Sequence, residues 1–363
     1  MRVLIFNWKD LAHPAAGGAE VYVEEIARRW VASGHRVTLF CSAVAGRPAT
    51  EVIGGVTVVR QGGRLGVYRA AREYYRRQGR GRFDVVIDAV NTKPFGCATW
   101  VRDVPVIAII HQLCREVWFR EMPLPVALLG RFVLEPMWLR TYRDSPVLTV
   151  SESSRSSLAE VGLRDVRLIP EGVTWRQRPA VPRETRPTMV FLGRLAANKR
   201  PRAALDAFCL LRDRVPDAQL WFIGDGPQHA ELARDAPAGV RLFGKVDREH
   251  RDELLARAHV LVMTSVREGW GLVVDEAAAM GTPTIGYDRP GLSDSIPAAG
   301  GVLVQPHPAA LADGLAAGLP RWTQSPATTG WRGGAKDWDS VATIVLDRIS
   351  SLLGAHYAQH SQR

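Results

Sequence analysis

The segment Glu268-Gly269-Trp270-Gly271-Leu272-Val273-Val274-Asp275-Glu276 gathers the residue types best suited to hold a doubly functional ligand. Two carboxylates stand eight residues apart, with a Gly-x-Gly turn after the first and an apolar helical run carrying the second. A helix starting near Gly271 leaves the amides of Gly271 to Val273 without partners inside it, so they present partial positive charge to an anion. Carboxylates on either side accept hydrogen bonds from hydroxyl groups. The segment therefore suits a diphosphate held between two polyols. An isolated pair of glutamates at this spacing would be a helix-surface carboxylate and an N-terminal cap. The Gly-Trp-Gly turn between them makes the pattern specific.

Cations of matching chemistry follow the apolar run Met189–Leu192. Arg194, in Gly193-Arg194-Leu195, precedes Lys199 by five residues. Arginine grips phosphate oxygens bidentately and lysine brings a mobile point charge, so the pair could neutralise a departing diphosphate. Two solvated surface cations are the ordinary reading of such a pair. Lys199 stands out because the 47 basic residues include only Lys9, Lys93, Lys199, Lys245 and Lys336 as lysines.

Other candidates are single features. Gly17-Gly18-Ala19-Glu20 follows a first apolar run and enters a helix, where glycines let the backbone approach a phosphate. It is not Gly-x-Gly-x-x-Gly, which counts against a dinucleotide-binding dehydrogenase. His111 ends the apolar run Val106–Ile110. A site histidine and a hydrogen-bonded structural histidine are equally good readings there. Asp337-Trp338-Asp339 has the form of a divalent-cation motif, but it opens the last helix, where capping is the expected role. No metal is expected, and His229, His250, His259 and His307 lack ligand spacing and read as structural.

A chain of 363 residues predicts two domains, and 46% apolar content suffices for a core in each. Strands are expected at Val3–Phe6, Val37–Phe40, Val56–Val59, Val85–Ile87, Val106–Ile110 and Val147–Val150. Val23, Ile26, Ala27 and Trp30 fall on one face of an intervening helix, with Gly34 past its end. The Pro- and Arg-rich stretch 171–187 reads as a linker. Strands then resume at Met189–Leu192, Leu220–Ile223, Arg241–Phe243, Val260–Met263 and Thr284–Ile285, and Trp338–Leu353 reads as a closing amphipathic helix. Strands alternating with helices imply two doubly wound α/β halves with parallel sheets. Such sheets bind ligands beyond the carboxyl ends of their strands, where the candidates fall.

The scattered Cys41, Cys97, Cys114 and Cys209 argue against a disulfide framework or zinc cluster and suit a reducing cytoplasm. Met122–Leu139 is apolar, but its prolines and charges deny it the ~20 uninterrupted apolar residues of a span. The N-terminus lacks the pattern of a signal peptide. The formal charge is +10, nearly all of it arginine. Between Arg60 and Arg82 stand eight arginines and one acid, interleaved with tyrosines. A solvated helix face is the plain reading, and contact with an anionic membrane is the functional one. No nucleic-acid motif accompanies the patch.

Together these segments resemble the family 4 retaining glycosyltransferases of the GT-B fold. The resemblance rests on Gly17 to Glu20, His111, Gly193-Arg194-Leu195 with Lys199, Gly224-Asp225-Gly226-Pro227, Phe243-Gly244-Lys245-Val246, and Glu268 through Glu276 into Ala279-Met280-Gly281-Thr282-Pro283. It implies two Rossmann-like domains facing across a cleft: 1–170 on the acceptor side, with a last helix at about 337–355 packing back on it, and 188–336 holding the donor. By resemblance, Arg194 and Lys199 bind the donor diphosphate, Glu268 contacts the transferred sugar and Glu276 the ribose. Gly269, Trp270, Gly271, Leu272 and Val273 line the donor. Gly17 and Gly18 approach it from the other domain, His111 lies by the reacting face of the sugar, and the backbone near Val246 edges the base. The family often has Asn-Gly-Val-Asp where this chain has Glu171-Gly172-Val173-Thr174.

The implied activity is retaining transfer from a nucleoside-diphosphate sugar, UDP- or GDP-linked, to a glycan, lipid-linked or small-metabolite acceptor. The sugar nucleotide is then a substrate and no cofactor is needed. The implied location is cytoplasmic, with room for a peripheral place on the inner face of a membrane. The competing readings are a non-transferring sugar-nucleotide enzyme such as an epimerase, and a basic membrane- or nucleic-acid-binding protein supported by charge alone.

Overall fold

The computed structural model describes residues 1–174, 176–324 and 336–360. The chain divides into two compact units, one of Met1–Cys114, Leu128–Gly172 and Asp337–Arg363, the other of Arg115–Ala127 and Val173–Lys336.

The first unit is built on β1 (Arg2–Asn7), β2 (Arg36–Cys41), β3 (Thr50–Ile53), β4 (Val56–Arg60), β5 (Val85–Val90), β6 (Val106–Ile110), β7 (Val147–Thr149) and β8 (Val166–Leu168), followed by the two-residue β9 (Gly172–Val173). The sheet runs β3-β4-β2-β1-β5-β6-β7-β8. Its pairs are parallel except for the antiparallel β3–β4 hairpin. Val3 to Phe6 are all fully buried because helices cover both faces, which is why β1 reads as an unbroken apolar run. The helix Gly18–Ala32 lies against the last helix, Trp338–His360. Trp30 donates its indole N–H to the Ala342 carbonyl at 2.8 Å, and the Tyr22 and Trp338 rings meet edge-on at 5.6 Å. Asp337 accepts a hydrogen bond from the Ser340 amide at 2.8 Å, which is a cap.

The second unit carries β10 (Thr188–Leu192), β11 (Gln219–Ile223), β12 (Val240–Gly244), β13 (Val260–Met263), β14 (Thr284–Tyr287) and β15 (Val302–Val304) in the order β12-β11-β10-β13-β14-β15, all parallel. One core lies on each face. Phe191, Phe208, Phe222 and Trp322 mark the first, and Trp221, Leu255, Met263 and Ile296 the second. β3, β8, β9 and β15 go beyond the strands expected from sequence. All are short, and β3 and β8 end the first sheet, where few side chains are buried.

The stretch 171–187 differs from the linker expected of it. Arg178 donates to the carbonyls of Met280 (3.0 Å) and Ala256 (2.8 Å), and Arg183 to those of Trp322 (2.9 Å) and Gly281 (2.5 Å). These carbonyls end helices, where the backbone lacks internal partners and the dipole is negative. Arg257 adds an ion pair to Glu184. The arginines that make the stretch look solvated thus fasten it to the second unit. Residues 115–127 also join that unit, against the expected boundary. There Arg267, 2% exposed, holds the Glu116 carboxylate through two nitrogens at 2.6 and 3.2 Å. Burial works to raise the Glu116 carboxyl, but Arg267 outweighs it and holds it below its ordinary value.

His259 is a structural histidine, as the sequence suggests. It is buried beside β10, and its Nδ1 accepts the Thr188 amide proton at 3.0 Å. Burial first, and Arg183 second, lower its pKa from 6.5 to about 4. The folded state binds the proton more weakly than the unfolded state, so stability is intact above pH 6.5 and is lost as pH falls toward 4. Denaturant titration should show the second unit losing about 2 kcal/mol between pH 7 and pH 5. His259→Asn, which keeps an acceptor for the Thr188 amide, should remove most of that dependence. An equal pH dependence in the variant would contradict this assignment.

Candidate active site

The strand order of the second sheet reverses between β10 and β13, and two loops leave the carboxyl ends of these neighbours. Residues 193–200 follow β10 and residues 264–271 follow β13. They are tied together. The Thr264 hydroxyl lies 2.9 Å from the carbonyl oxygens of both Lys199 and Arg200, and the Val266 amide donates to the Asn198 carbonyl at 2.9 Å. Lys199 and Glu268 meet in this frame, the ammonium donating to Oε1 of the carboxylate. Ser265 donates its hydroxyl to the same oxygen at 2.7 Å. Glu268 is 8% exposed, and its own amide is held by the Pro290 carbonyl at 3.0 Å. Arg194 stands exposed on the first loop, just beyond Gly193.

Two glycines set this backbone. Gly271 caps the helix Leu272–Ala279 at φ 98°, a left-handed conformation costly for any residue with a side chain. Gly291 has φ 83°, and a Cβ there would lie 2.3 Å from the Glu268 carbonyl oxygen. Gly269 to Val273 are partly exposed around the start of the helix. The Leu272 and Val273 amides, in its first turn, have no helical acceptor. Trp270 is pinned by its indole N–H to Asp275 at 2.6 Å, a carboxylate the sequence reading passed over. Glu276 is reached by Arg251 at 2.9 Å, which also holds Asp252 at 2.7 Å. Burial pushes the Glu276 carboxyl up, and Arg251 pulls against it. Arg251 lies on the helix Arg248–Arg257, which Asp247 caps directly after Val246. The helix that follows Val246 is thereby tied to Glu276.

Sequence reasoning also missed Arg200. It caps the helix Pro201–Arg212 at φ 53°, unusual for a residue with a side chain. Its guanidinium lies over the Tyr287 ring at 5.3 Å, and burial holds its pKa below the ordinary value. The only advance signal was its place beside Lys199.

In the first unit the strand order reverses between β1 and β5. Gly17 and Gly18 are exposed at the start of the helix Gly18–Ala32. Glu20, 3% exposed, anchors them, accepting the Gly17 amide at 2.6 Å and the Asn91 side-chain amide at 3.2 Å, with Lys9 at 3.5 Å. Asn91 also donates to Asn7 at 2.8 Å. His111 follows β6 as expected. Its Nδ1 lies 3.6 Å from the Glu171 carboxylate, and Tyr22 meets its ring edge-on at 5.0 Å. Its Nε2 is buried without a hydrogen-bond partner among the described residues. Glu171, which departs from the family pattern, is thus the carboxylate facing His111.

Comparison with known proteins bears on the family and the fold. A family model described as Glycosyltransferase Family 4 matches residues 16–174, and one described as Glycosyl transferases group 1 matches residues 186–319. A glycogen synthase of Mycobacterium tuberculosis is 30% identical over 263 residues, 67% of this chain. The match spans 62% of that protein's length, under two thirds. A GDP-mannose-dependent alpha-(1-6)-phosphatidylinositol dimannoside mannosyltransferase of Mycobacterium tuberculosis is 26% identical over 321 residues, covering 82% of this chain and 83% of its own. Among solved structures, sucrose-phosphate synthase from Thermosynechococcus elongatus matches with a TM-score of 0.71 at 20% identity over 99% of each chain. HepE of Anabaena, solved with UDP-glucose, matches with a TM-score of 0.72 at 16% identity over 97% of this chain and 100% of its own. At these identities the structural likenesses establish the fold.

Gly291→Ala should force the Glu268 backbone to shift and cost about 1–3 kcal/mol of stability. Denaturant titration measures it, and an unchanged midpoint would show that the close approach of Gly291 to Glu268 is not a constraint.

Proposed function

The chain belongs to the family 4 glycosyltransferases and has their GT-B fold, and from that membership we propose that it moves a sugar from a nucleoside diphosphate to an acceptor hydroxyl. The observation that carries the reading is the meeting of Lys199 with Glu268 at the strand-order reversal of the second sheet, with exposed Arg194 on the same loop as Lys199 and the amides of Leu272 and Val273 at the start of the helix that follows Glu268. This cluster matches a diphosphate joined to a polyol. Cations and amides take the phosphates, and Glu268 accepts hydrogen bonds from sugar hydroxyls. Glu276, held by Arg251, takes the ribose at the other end of the diphosphate, and the backbone near Val246 edges the base.

The proposed reaction breaks the bond between the anomeric carbon and the outer phosphate oxygen, which leaves with the electron pair. The acceptor oxygen bonds to the same face of the sugar, giving retention, and its proton passes to the leaving phosphate. Negative charge grows on the phosphate as the bond stretches. Arg194, Lys199 and the helix-end amides stabilise it in place, without help from a metal. In the first unit, Gly17 and Gly18 expose backbone that suits a phosphate oxygen. His111 of the same unit, facing Glu171, has a buried Nε2 whose chemistry suits a hydroxyl. The mannosyltransferase named above is GDP-mannose-dependent and HepE was solved with UDP-glucose, so both carriers are open to test here.

Lys199→Ala should lower turnover of the sugar nucleotide at least ~100-fold, the scale for removing one preorganised donor of this kind. Discontinuous assay with mass detection of the acceptor product reads both the rate and the transfer itself. Turnover without a gain of mass on any acceptor would turn the reading toward an epimerase, and an unchanged rate in the variant would remove Lys199 from leaving-group stabilisation.

A further inference from the structure

The helical run from Leu124 to Leu139 is amphipathic in the inverted sense. Toward the protein it buries small or polar residues, Ala127, Gly130 and Glu135, before reaching Leu139. The Glu135 carboxylate is committed there, accepting the Cys114 amide at 2.5 Å. Toward the outside, Leu128, Leu129, Phe132, Val133 and Met137 are between 44% and 63% exposed. They recur four residues apart, as one face of a helix requires. Single exposed apolar residues are ordinary, but a contiguous apolar face marks a surface that something apolar covers.

The chemistry beside this face identifies the cover. The Lys93 ammonium lies 4.5 Å from the Tyr68 ring centroid and 5.8 Å from that of Trp138. It joins the apolar helix to the helix Val67–Tyr74. That neighbour carries exposed Arg69 and Arg72, with Arg64 before it and Arg76 after it, and Leu65 at its start is 81% exposed. On the apolar helix itself, the Arg131 guanidinium lies over the Phe132 ring at 5.2 Å. An apolar strip bordered by arginines matches the boundary between acyl chains and anionic headgroups. A second copy of the same face matches it less well, because the arginines of each copy would approach those of the other.

We infer that this face of the first unit docks on an anionic lipid bilayer, with Leu129, Phe132 and Val133 sunk to the acyl boundary and Arg69, Arg72 and Arg131 among the phosphates. Among the described residues no helix is long and apolar enough to cross a membrane, so the contact is peripheral. The inference stands apart from the transfer reaction, and donor turnover can be measured separately.

Co-sedimentation tests it, with phosphatidylcholine vesicles and with vesicles in which part of that lipid is replaced by phosphatidylglycerol. The full chain should pellet with the anionic vesicles and remain in solution with the neutral ones. The double variant Phe132→Asp, Val133→Asp should lower the bound fraction at least ~10-fold at every salt concentration. The double variant Arg69→Glu, Arg72→Glu should do so most strongly at low salt, where unscreened charge contributes most. Both should keep the wild-type thermal midpoint, since every substituted side chain is exposed. A wild-type chain that stays in solution with anionic vesicles, or a Phe132/Val133 variant that pellets like wild type, overturns the proposal. So does a dimer in analytical ultracentrifugation that the same variant dissociates in the absence of vesicle binding, since the face then belongs to a second copy.

Discussion

The candidate donor site depends on the bonding of two loops at the carboxyl ends of β10 and β13. Neither loop has regular structure of its own. The Thr264 hydroxyl and the Val266 amide bind one to the other, each contact contributing about 1 kcal/mol on its own. Their larger effect is positional, because they bring Lys199 to Glu268 and keep it there. Ser265 fixes the carboxylate from one side, and the close approach of Gly291 fixes its backbone from the other. A cation that must stabilise charge at the moment of bond breaking is useful only if it needs no rearrangement then.

The rest of the second unit reinforces this constraint. Helices there end on carbonyls that would otherwise lack partners. Arg178 and Arg183 reach across to satisfy them, so the chain entering the unit becomes part of its frame. Arg251 does similar work nearer the site, joining the helix after Val246 to Glu276. The arginine bias of the chain thus has a structural use in this unit as well as its effect on net charge. In the first unit the buried carboxylate of Glu20 plays the corresponding part, holding the Gly17 turn and Asn91 in one network.

Much of this was legible in the sequence because it rests on short-range signals. Apolar runs, helical spacing and glycine turns located the strands that carry the site, and the scarcity of lysine drew attention to Lys199. Partnerships between distant segments were not legible. Nothing in the sequence says that Glu276 faces Arg251, or that Glu171 faces His111, since both depend on how helices and strands pack. The stretch 171–187 was misread because arginines bonded to carbonyls look like solvated arginines: the acceptors are backbone and carry no residue signature. Prolines and charges interrupt the apolar run near Met122–Leu139, and among the described residues no helix is long and apolar enough to cross a membrane. The inverted amphipathicity of that run became visible only when burial separated Gly130 and Glu135 from Phe132 and Val133.

The central claim is that the loops after β10 and β13 act together on one diphosphate. Amide hydrogen exchange, followed by mass spectrometry on the full chain with and without UDP- and GDP-linked sugars, tests it most directly. The account predicts that one of these ligands slows exchange at residues 193–200 and 264–273 together. Protection of neither segment by any sugar nucleotide, or protection confined to other parts of the chain, would contradict it.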